Sequence, residues 1–432
     1  MHGYNLLLTT LLIFYASIVR AEPSTALNLT SPEAVAWALE KNQSMQAARS
    51  TIEAAHAYSE YAGRLENPEL NLEYASDWAF NNEGERAYSI GIEQRFPVTH
   101  RLKLLKNVSA LEIQLAEKEF RNQQRLFIRD IELAVDELSS LEARLQLLNE
   151  VIDLQNTLTK FLERKIEEGE ASTLDLNQVQ VARFAVKQDI QNLTKQRDIV
   201  VAQLRILLGV AKDVDLQISS VSPELTVLPP MQDFDSTQLI THPEYQYKTL
   251  LAEIAQDRTS LAKAERWADI AVEVFFEEER AVDEPVGRET DRFFGIGVSI
   301  PLPLNDNNRG EIEASRLRER KIYHETAALK LRLENEANSL KLNAEATYKQ
   351  LYDYKKSAVE LVEKNLEEIN RAYAAGQVDL GEVFRVQEQR LEIKTAQVAL
   401  RHELNQILIR WRAATAANFP NKKTEEISNE TK

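Results

Sequence analysis

Apolar and polar positions along the chain keep two different periods, and the change from one to the other happens twice. Over 101–168 and again over 311–375, apolar residues return at spacings of three and four: Leu104, Val108, Leu111 and Leu115 in the first stretch, Leu329, Leu331, Leu333 and Leu340 in the second. Neither stretch contains Gly or Pro. At 1.5 Å per residue each predicts a helix of roughly 100 Å, which needs a partner along its length. Before each helix the period drops to two. Leu70, Leu72 and Tyr74 alternate with Asn71 and Glu73, and Tyr88, Ile90 and Ile92 alternate with Ser89, Gly91 and Glu93. In the second set, Ile270, Val272, Val274 and Phe276 alternate with Ala271, Glu273, Phe275 and Glu277. Strands are predicted at about 68–77, 87–96, 269–277 and 293–301, each with two faces in different surroundings. Aromatic residues expected near the strand ends (Trp78, Phe80, Trp267, Phe276, Phe293) suit a membrane–water interface.

The two sets are copies. Asn42 to Ala55 resembles the stretch from His242 at an offset of 200, Ile90-Gly91-Ile92 falls on Phe294-Gly295-Ile296 at 204, and Gly169, Ser172, Leu176 and Gln180 fall on Gly376, Asp379, Val383 and Gln387 at 207. Ordered matches with a slowly growing offset mark a tandem duplication. Each copy opens with a helix (31–61 and about 234–264) and closes with another (170–208 and 377–418). Ser31 and Pro32 suit the start of the first helix, while Asn42 and the pair His242-Pro243 suggest breaks. An opening helix of about 30 residues plus a closing helix of about 40 matches one long helix. Each repeat is therefore expected to be a rod with a hairpin turn at Gly169 or Gly376 and strands at the other end. The divisions are 1–21 (leader), 22–209 (first repeat), 210–233 (linker, with Pro223, Pro229 and Pro230), 234–418 (second repeat) and 419–432 (polar tail).

Strands of nine or ten residues match a tilted bilayer crossing. Four of them cannot close a barrel, and open edges are not tolerated in lipid; oligomerisation is a physical need. The first residues fit export. The apolar run from Leu6 to Tyr15 is followed by Val19 and Ala21, small residues placed for cleavage before Glu22, although only His2 supplies any charge ahead of the run. No later run of 18 apolar residues occurs, so a membrane location implies strands.

Composition narrows the chemistry. Among 432 residues there are 12 Gly, 12 Pro and no Cys, which suits long helices and removes disulfides, thiolate metal sites and cysteine nucleophiles. A net charge of −16 argues against a nucleic-acid partner. The six histidines are scattered, with no His-x-x-x-His pair, and only three methionines occur; no metal site, cofactor site or catalytic constellation is expected, and the chain reads as a non-enzyme.

Three segments carry a family resemblance: RLENPELNLEY (64–74), VSIPLPLNDNNRGEIEASRLR (298–318) and AYAAGQVDLGEVFRVQEQRL (372–391). Together with the two-repeat pattern over about 31–416, they resemble the TolC family of outer-membrane efflux proteins, and the second segment resembles its CzcC-type branch, which serves heavy-metal pumps of the resistance–nodulation–division (RND) class. Two departures stand out: there is no N-terminal Cys for lipidation, and His100-Arg101 replaces the family's Gly-Lys-Arg-like turn. The resemblance implies a homotrimer, a 12-stranded barrel in outer-membrane lipid, a periplasmic helical barrel, a periplasmic adaptor protein, an inner-membrane RND pump and a passive conduit for cargo, heavy-metal cations in the CzcC-type branch. Drug efflux and type I protein secretion use the same fold. A secreted coiled-coil scaffold or adhesin is the reading from another class, and it leaves the four strands unexplained.

A conduit offers gates and docking points as its candidate sites. Gly169, Ser172, Gly376 and Asp379 lie at the hairpin tips, where the resemblance places adaptor docking and helix capping needs a positive φ. Asp175 and Glu382 each fall six residues past the glycine. The family's periplasmic constriction carries acids beyond the second-repeat glycine, and rings of carboxylates there favour cations and repel one another. Arg385 is expected to pair with one of these acids in a closed state.

Overall fold

The computed structural model describes residues 27–79, 83–169, 171–219, 227–283 and 287–417. The leader, the polar tail, Phe80 and Pro223 lie outside the described residues.

The first repeat runs β1 (Leu27–Thr30), α1 (Ser31–Lys41), α2 (Gln43–Tyr61), β2 (Glu69–Ser76), β3 (Arg86–Phe96), α3 (Arg101–Glu167) and α4 (Thr173–Leu208). The second runs β4 (Leu216–Ser219), α5 (Ser236–Thr241), α6 (Pro243–Ala264), β5 (Ile270–Asp283), β6 (Gly287–Ser299), α7 (Arg309–Tyr354), a π-helical turn over Lys355–Val359, α8 (Glu360–Ala374) and α9 (Leu380–Thr415). Both opening helices break where expected, at Asn42 and His242, whose backbones are nearly superposable (φ −68°, ψ 128° and φ −66°, ψ 123°). The N-cap of α1 is Thr30 rather than Ser31, because Glu33 reaches back to the Thr30 N–H and hydroxyl at 2.8 Å each.

The 67-residue α3 carries α4 along one part of its length and α2 along another, and α9 and α6 of the second repeat pack beside it, with α7 beyond them. The short helices therefore stand end to end. The α4 C-terminus meets the α2 N-terminus at Asn42: its Oδ1 accepts from Ser44 N at 2.8 Å and Met45 N at 3.3 Å, while its Nδ2 donates to the Ile206 and Leu207 carbonyls at 3.2 and 3.0 Å. Gly209 turns the chain away in the left-handed region (φ 65°) directly against the Lys41 carbonyl and Asn42. In the second repeat the buried His242 occupies the matching joint between α9 and α6. Arg125 of α3 spans that joint, donating to the Ala413 carbonyl and, at 3.2 Å, to Glu244 in the first turn of α6.

The largest apolar cluster surrounds the first joint, with Ala34, Ala38, Ile131, Leu204 and Leu208 sealed from solvent. Two strands that the sequence pattern did not single out close it: β1 and β4 pair in parallel, Leu27 opposite Leu216 and Leu29 opposite Ile218. The segment 210–233 is thus anchored by β4 rather than being linker throughout.

The other four strands form one antiparallel sheet in the order β2-β3-β5-β6, leaving β2 and β6 as open edges. β5 and β6 extend to Asp283 and from Gly287, past the limits of 269–277 and 293–301 read from alternation, because the added residues are charged or small on both faces.

Candidate functional site: an inside-out sheet, a paired tip and the seam between repeats

The sheet inverts the usual arrangement of a soluble protein. On one face the cross-strand rows are Leu70–Ile92–Val274–Ile296 and Leu72–Ile90–Phe276–Phe294, and all of them are exposed, up to 68–74% for Leu72, Ile296 and Phe294. On the other face Asn71, Gly91, Phe275 and Gly295 form one row, and Glu69, Glu93, Glu273 and Gly297 the next. That polar face is the more enclosed one along β3, where Ser89, Gly91 and Glu93 are buried or half-buried between exposed Tyr88, Ile90 and Ile92. Asn71 donates to Glu273 at 2.9 Å. Phe275 breaks the polar pattern, and the glycines explain how it fits: a Cβ on Gly295 would overlap its ring, and one on Gly91 would lie 3.3 Å from its Cβ. The bare glycine backbone lets the ring lie against the sheet. Trp78 and Trp267 stand exposed just beyond the strands, whereas Phe276 and Phe293 lie within the longer strands rather than at their ends.

At the far end of the rods the hairpin glycines adopt positive φ, 75° at Gly169 and 69° at Gly376, with open space where a Cβ would go. Conformation, not crowding, therefore calls for glycine at both turns. Ser172 caps α4, its Oγ accepting from Leu174 N at 3.1 Å, and Asp175 completes the box by accepting from Ser172 N at 3.2 Å. Asp379 caps α9 by accepting from Glu382 N at 2.9 Å. Arg385 pairs with Glu382 one turn away on the same helix at 3.3 Å, and both side chains are largely exposed. Asp175 lies on the other hairpin, near Tyr373, whose hydroxyl pKa is raised by burial and by that carboxylate. The two tips meet through Leu162, Val179 and Leu380, with the Phe161 and Tyr373 rings 5.8 Å apart.

Between tip and joint, the two repeats meet where α3 faces α9. α3 presents carboxylates and α9 presents cations: Glu132 with Arg412 at 3.0 Å, Asp136 and Glu137 with His402, and Glu150 with Arg390 at 3.1 Å. Arg390 also holds Glu363 of α8 at 2.9 Å, and Lys394 joins the same carboxylate. Burial opposes the charge on Glu363, but Arg390 and Lys394 outweigh it and hold the pKa below the usual carboxylate range. None of these α9 residues carries a motif. The one signal in the sequence was a surplus of basic residues late in α9 against acids in the middle of α3.

Among the described residues no helix is long and apolar enough to cross a membrane, and no group of three His, Cys, Asp or Glu side chains is placed to hold a metal ion.

The fold matches that of TolC-like outer membrane channels: mainly helical, duplicated, with one small sheet at the end of the rods. Residues 35–210 match the family described as "Outer membrane efflux protein". No curated protein matches the sequence. Solved structures align over nearly the whole chain. CusC aligns at 16% identity over 89% of this chain and 91% of its own, with a TM-score of 0.72. The outer membrane protein VceC of Vibrio cholerae aligns at 15% identity over 90% and 97%, with a TM-score of 0.70. The CmeC outer membrane channel of Campylobacter jejuni aligns at 11% identity over 100% and 98%, with a TM-score of 0.72.

Proposed function

We propose that the protein is the outer-membrane channel of a tripartite efflux pump, a passive conduit from periplasm to exterior that works as a homotrimer. The observation that carries this reading is the inside-out sheet with two open edges. An apolar face exposed over four strands has no stable place in water, whereas lipid accepts it once the strand edges are paired. β2 of one copy pairing with β6 of the next satisfies both edges, and three copies give 12 strands. The helical layer supports the same joining. α2 and α4 bound it on one side and α7 with α8 on the other; exposed Tyr58, Val181, Phe184 and Ile206 on the first side, and Tyr323, Leu331, Leu342 and Tyr352 on the second, await a neighbour.

Within such a barrel the face bearing Glu73, Glu93, Glu273 and Glu277 lines the lumen and favours cations over anions. Together with the CzcC-like segment 298–318, this supports heavy-metal cations as cargo, delivered by an inner-membrane RND pump through a periplasmic adaptor that docks on the tips at Gly169, Ser172, Gly376 and Asp379. Asp175 and Glu382 supply the carboxylate rings of the gate, with Arg385 holding Glu382. Membrane fractionation tests the reading. A heat-modifiable trimer in the outer-membrane fraction that conducts in a planar bilayer supports it, and a detergent-free soluble protein overturns it in favour of a secreted scaffold. Loss of metal tolerance on deletion, restored by the intact gene, tests the cargo.

A further inference from the structure

The seam between the repeats contains one link unlike the others. At 20% exposure, the His402 side chain reaches from α9 into a pair of α3 carboxylates: Nδ1 lies 2.6 Å from Asp136 Oδ2, and Nε2 lies 2.9 Å from Glu137 Oε2. The Asp136 side chain is only 8% exposed, and its other oxygen accepts from Asn405 Nδ2 at 2.8 Å. The remaining seam pairs use arginine or lysine, which keep their charge at any physiological pH. Imidazole does not. Only the doubly protonated ring donates from both nitrogens and so satisfies both carboxylates at once; the neutral ring keeps the Asp136 bond and offers its bare Nε2 to the Gln406 side-chain amide, 2.9 Å away, in place of Glu137.

We infer that His402, Asp136 and Glu137 form a proton-dependent clasp that holds the second-repeat hairpin against α3 and releases it as pH rises. The inference rests on the channel reading above. Among the described residues, the charged groups that act on the ring are Asp136 and Glu137 of α3, with the neutral Asn405 and Gln406 beside them on α9. α7 packs Leu340, Ala344 and the titratable Tyr348 against Leu404 and Ile407 in this stretch of α9.

Placement gives the clasp leverage. On the joint side of His402, Leu404 and Ile407 lock α9 onto Ala344 of α7. On the tip side the long helix is interrupted by the π-helical turn Lys355–Val359, followed by the Glu363–Arg390 and Lys394 cluster. A π-helical turn is a common place for a helix to bend. The clasp lies at the base of the segment that carries Glu382 and Arg385 and adds a pH-dependent hold to the fixed ones that the Glu150–Arg390 pair and the Leu162–Leu380 contact keep on that segment.

The direction follows from linkage. The hydrogen bond to Asp136 raises the His402 pKa above the ordinary imidazole value, with burial opposing. A raised value means that the clasped state binds the proton more tightly than the released state. The stabilisation is complete below about 6.5, the released-state value, and is lost as pH rises through the clasped-state value.

The purified trimer in a planar bilayer tests this, with His402→Gln and His402→Arg beside the wild type. Between pH 5.5 and pH 8.5 the wild-type open-state population is expected to rise about tenfold, the order expected for losing one charge-assisted contact. His402→Gln is expected to be open to the same degree at both values, and His402→Arg to stay closed at both. Hydrogen exchange of 395–410 in the same trimer, corrected for intrinsic rates, is expected to lose protection with rising pH in the wild type alone. If no conductance appears at all, the channel reading fails, and the exchange profile still decides the clasp. If channels form and His402→Gln keeps the wild-type pH profile, or if exchange in 395–410 is insensitive to pH, the clasp is wrong.

Discussion

Replacing Asn42 with Ala removes two separable functions from one buried side chain. Its oxygen caps α2, a role usually worth about 1 kcal/mol. Its amide nitrogen serves the Ile206 and Leu207 carbonyls at the end of α4. With Asn42 only 6% exposed, water does not readily replace that donor, and under-satisfied buried carbonyls add about 1–3 kcal/mol. The sum is about 2–4 kcal/mol, which for a chain of this size lowers the apparent Tm by roughly 2–4 °C. Asn42→Asp separates the parts. It keeps the acceptor for Ser44 and Met45 but offers carboxylate oxygens to carbonyl oxygens at the negative end of the α4 dipole. Circular dichroism melts of the detergent-solubilised protein check this, with loss of the heat-modifiable oligomer followed on gels. Both variants should fall below wild type, with Asn42→Asp no better than Asn42→Ala. If Asn42→Asp melts like wild type, the bond to α4 contributes nothing and the end-to-end joint is held by packing alone.

His242 gives a companion experiment. Burial and the nearby Arg125 and Arg332 depress its pKa to about 3, against a weak pull from the Ala414 backbone, and neither ring nitrogen has a hydrogen-bond partner of normal geometry. The unfolded chain takes up a proton near 6.5 that the folded chain refuses, so stability falls as pH drops from that value toward about 3. His242→Leu should flatten that limb of a stability–pH curve, and His242→Asn, which installs the residue of the first joint, should raise the melting temperature at neutral pH. Arg390→Ala leaves the part-exposed Glu150 and Glu363 with Lys394 as the remaining cation, a loss of about 1–2 kcal/mol; denaturant titration should show Arg390→Met, which keeps the packing, losing less. Gly295→Val should abolish assembly into membranes, and Phe275→Ala in the same chain should restore it, read as heat-modifiable oligomer on gels. In single-channel recordings, Asp175→Ala with Glu382→Ala should raise conductance and lower cation preference, while Arg385→Ala should alter conductance without altering Tm, because its pair with Glu382 is exposed.

The sequence made the long elements legible because their periods run over many residues. The duplication, both long helices, the strand faces and the breaks at Asn42 and His242 all come from patterns that accumulate. Short or mixed stretches carry no such signal. LNLT and LQIS are four residues each and become strands only by pairing across the repeat. The outer parts of β5 and β6 carry charge on both faces and lose the alternation. At the tips the glycines were readable from turn chemistry, but the partner of Arg385 was decided by a neighbour three residues away. The links from α3 to His402, Arg390 and Ala413 span 266, 240 and 288 positions. They depend on the rotation and axial register of two helices, which neither helix encodes alone.

The joints have a mechanical consequence. In one strip of the helical layer α3 runs unbroken from the sheet to the tip, while beside it α4 and α2, and likewise α9 and α6, meet end to end. A load applied at the tip reaches the sheet as tension or compression through the continuous strips. A twist is absorbed where the abutting ends pivot on Asn42 and His242. By this geometry the layer is stiffer along its axis than in torsion.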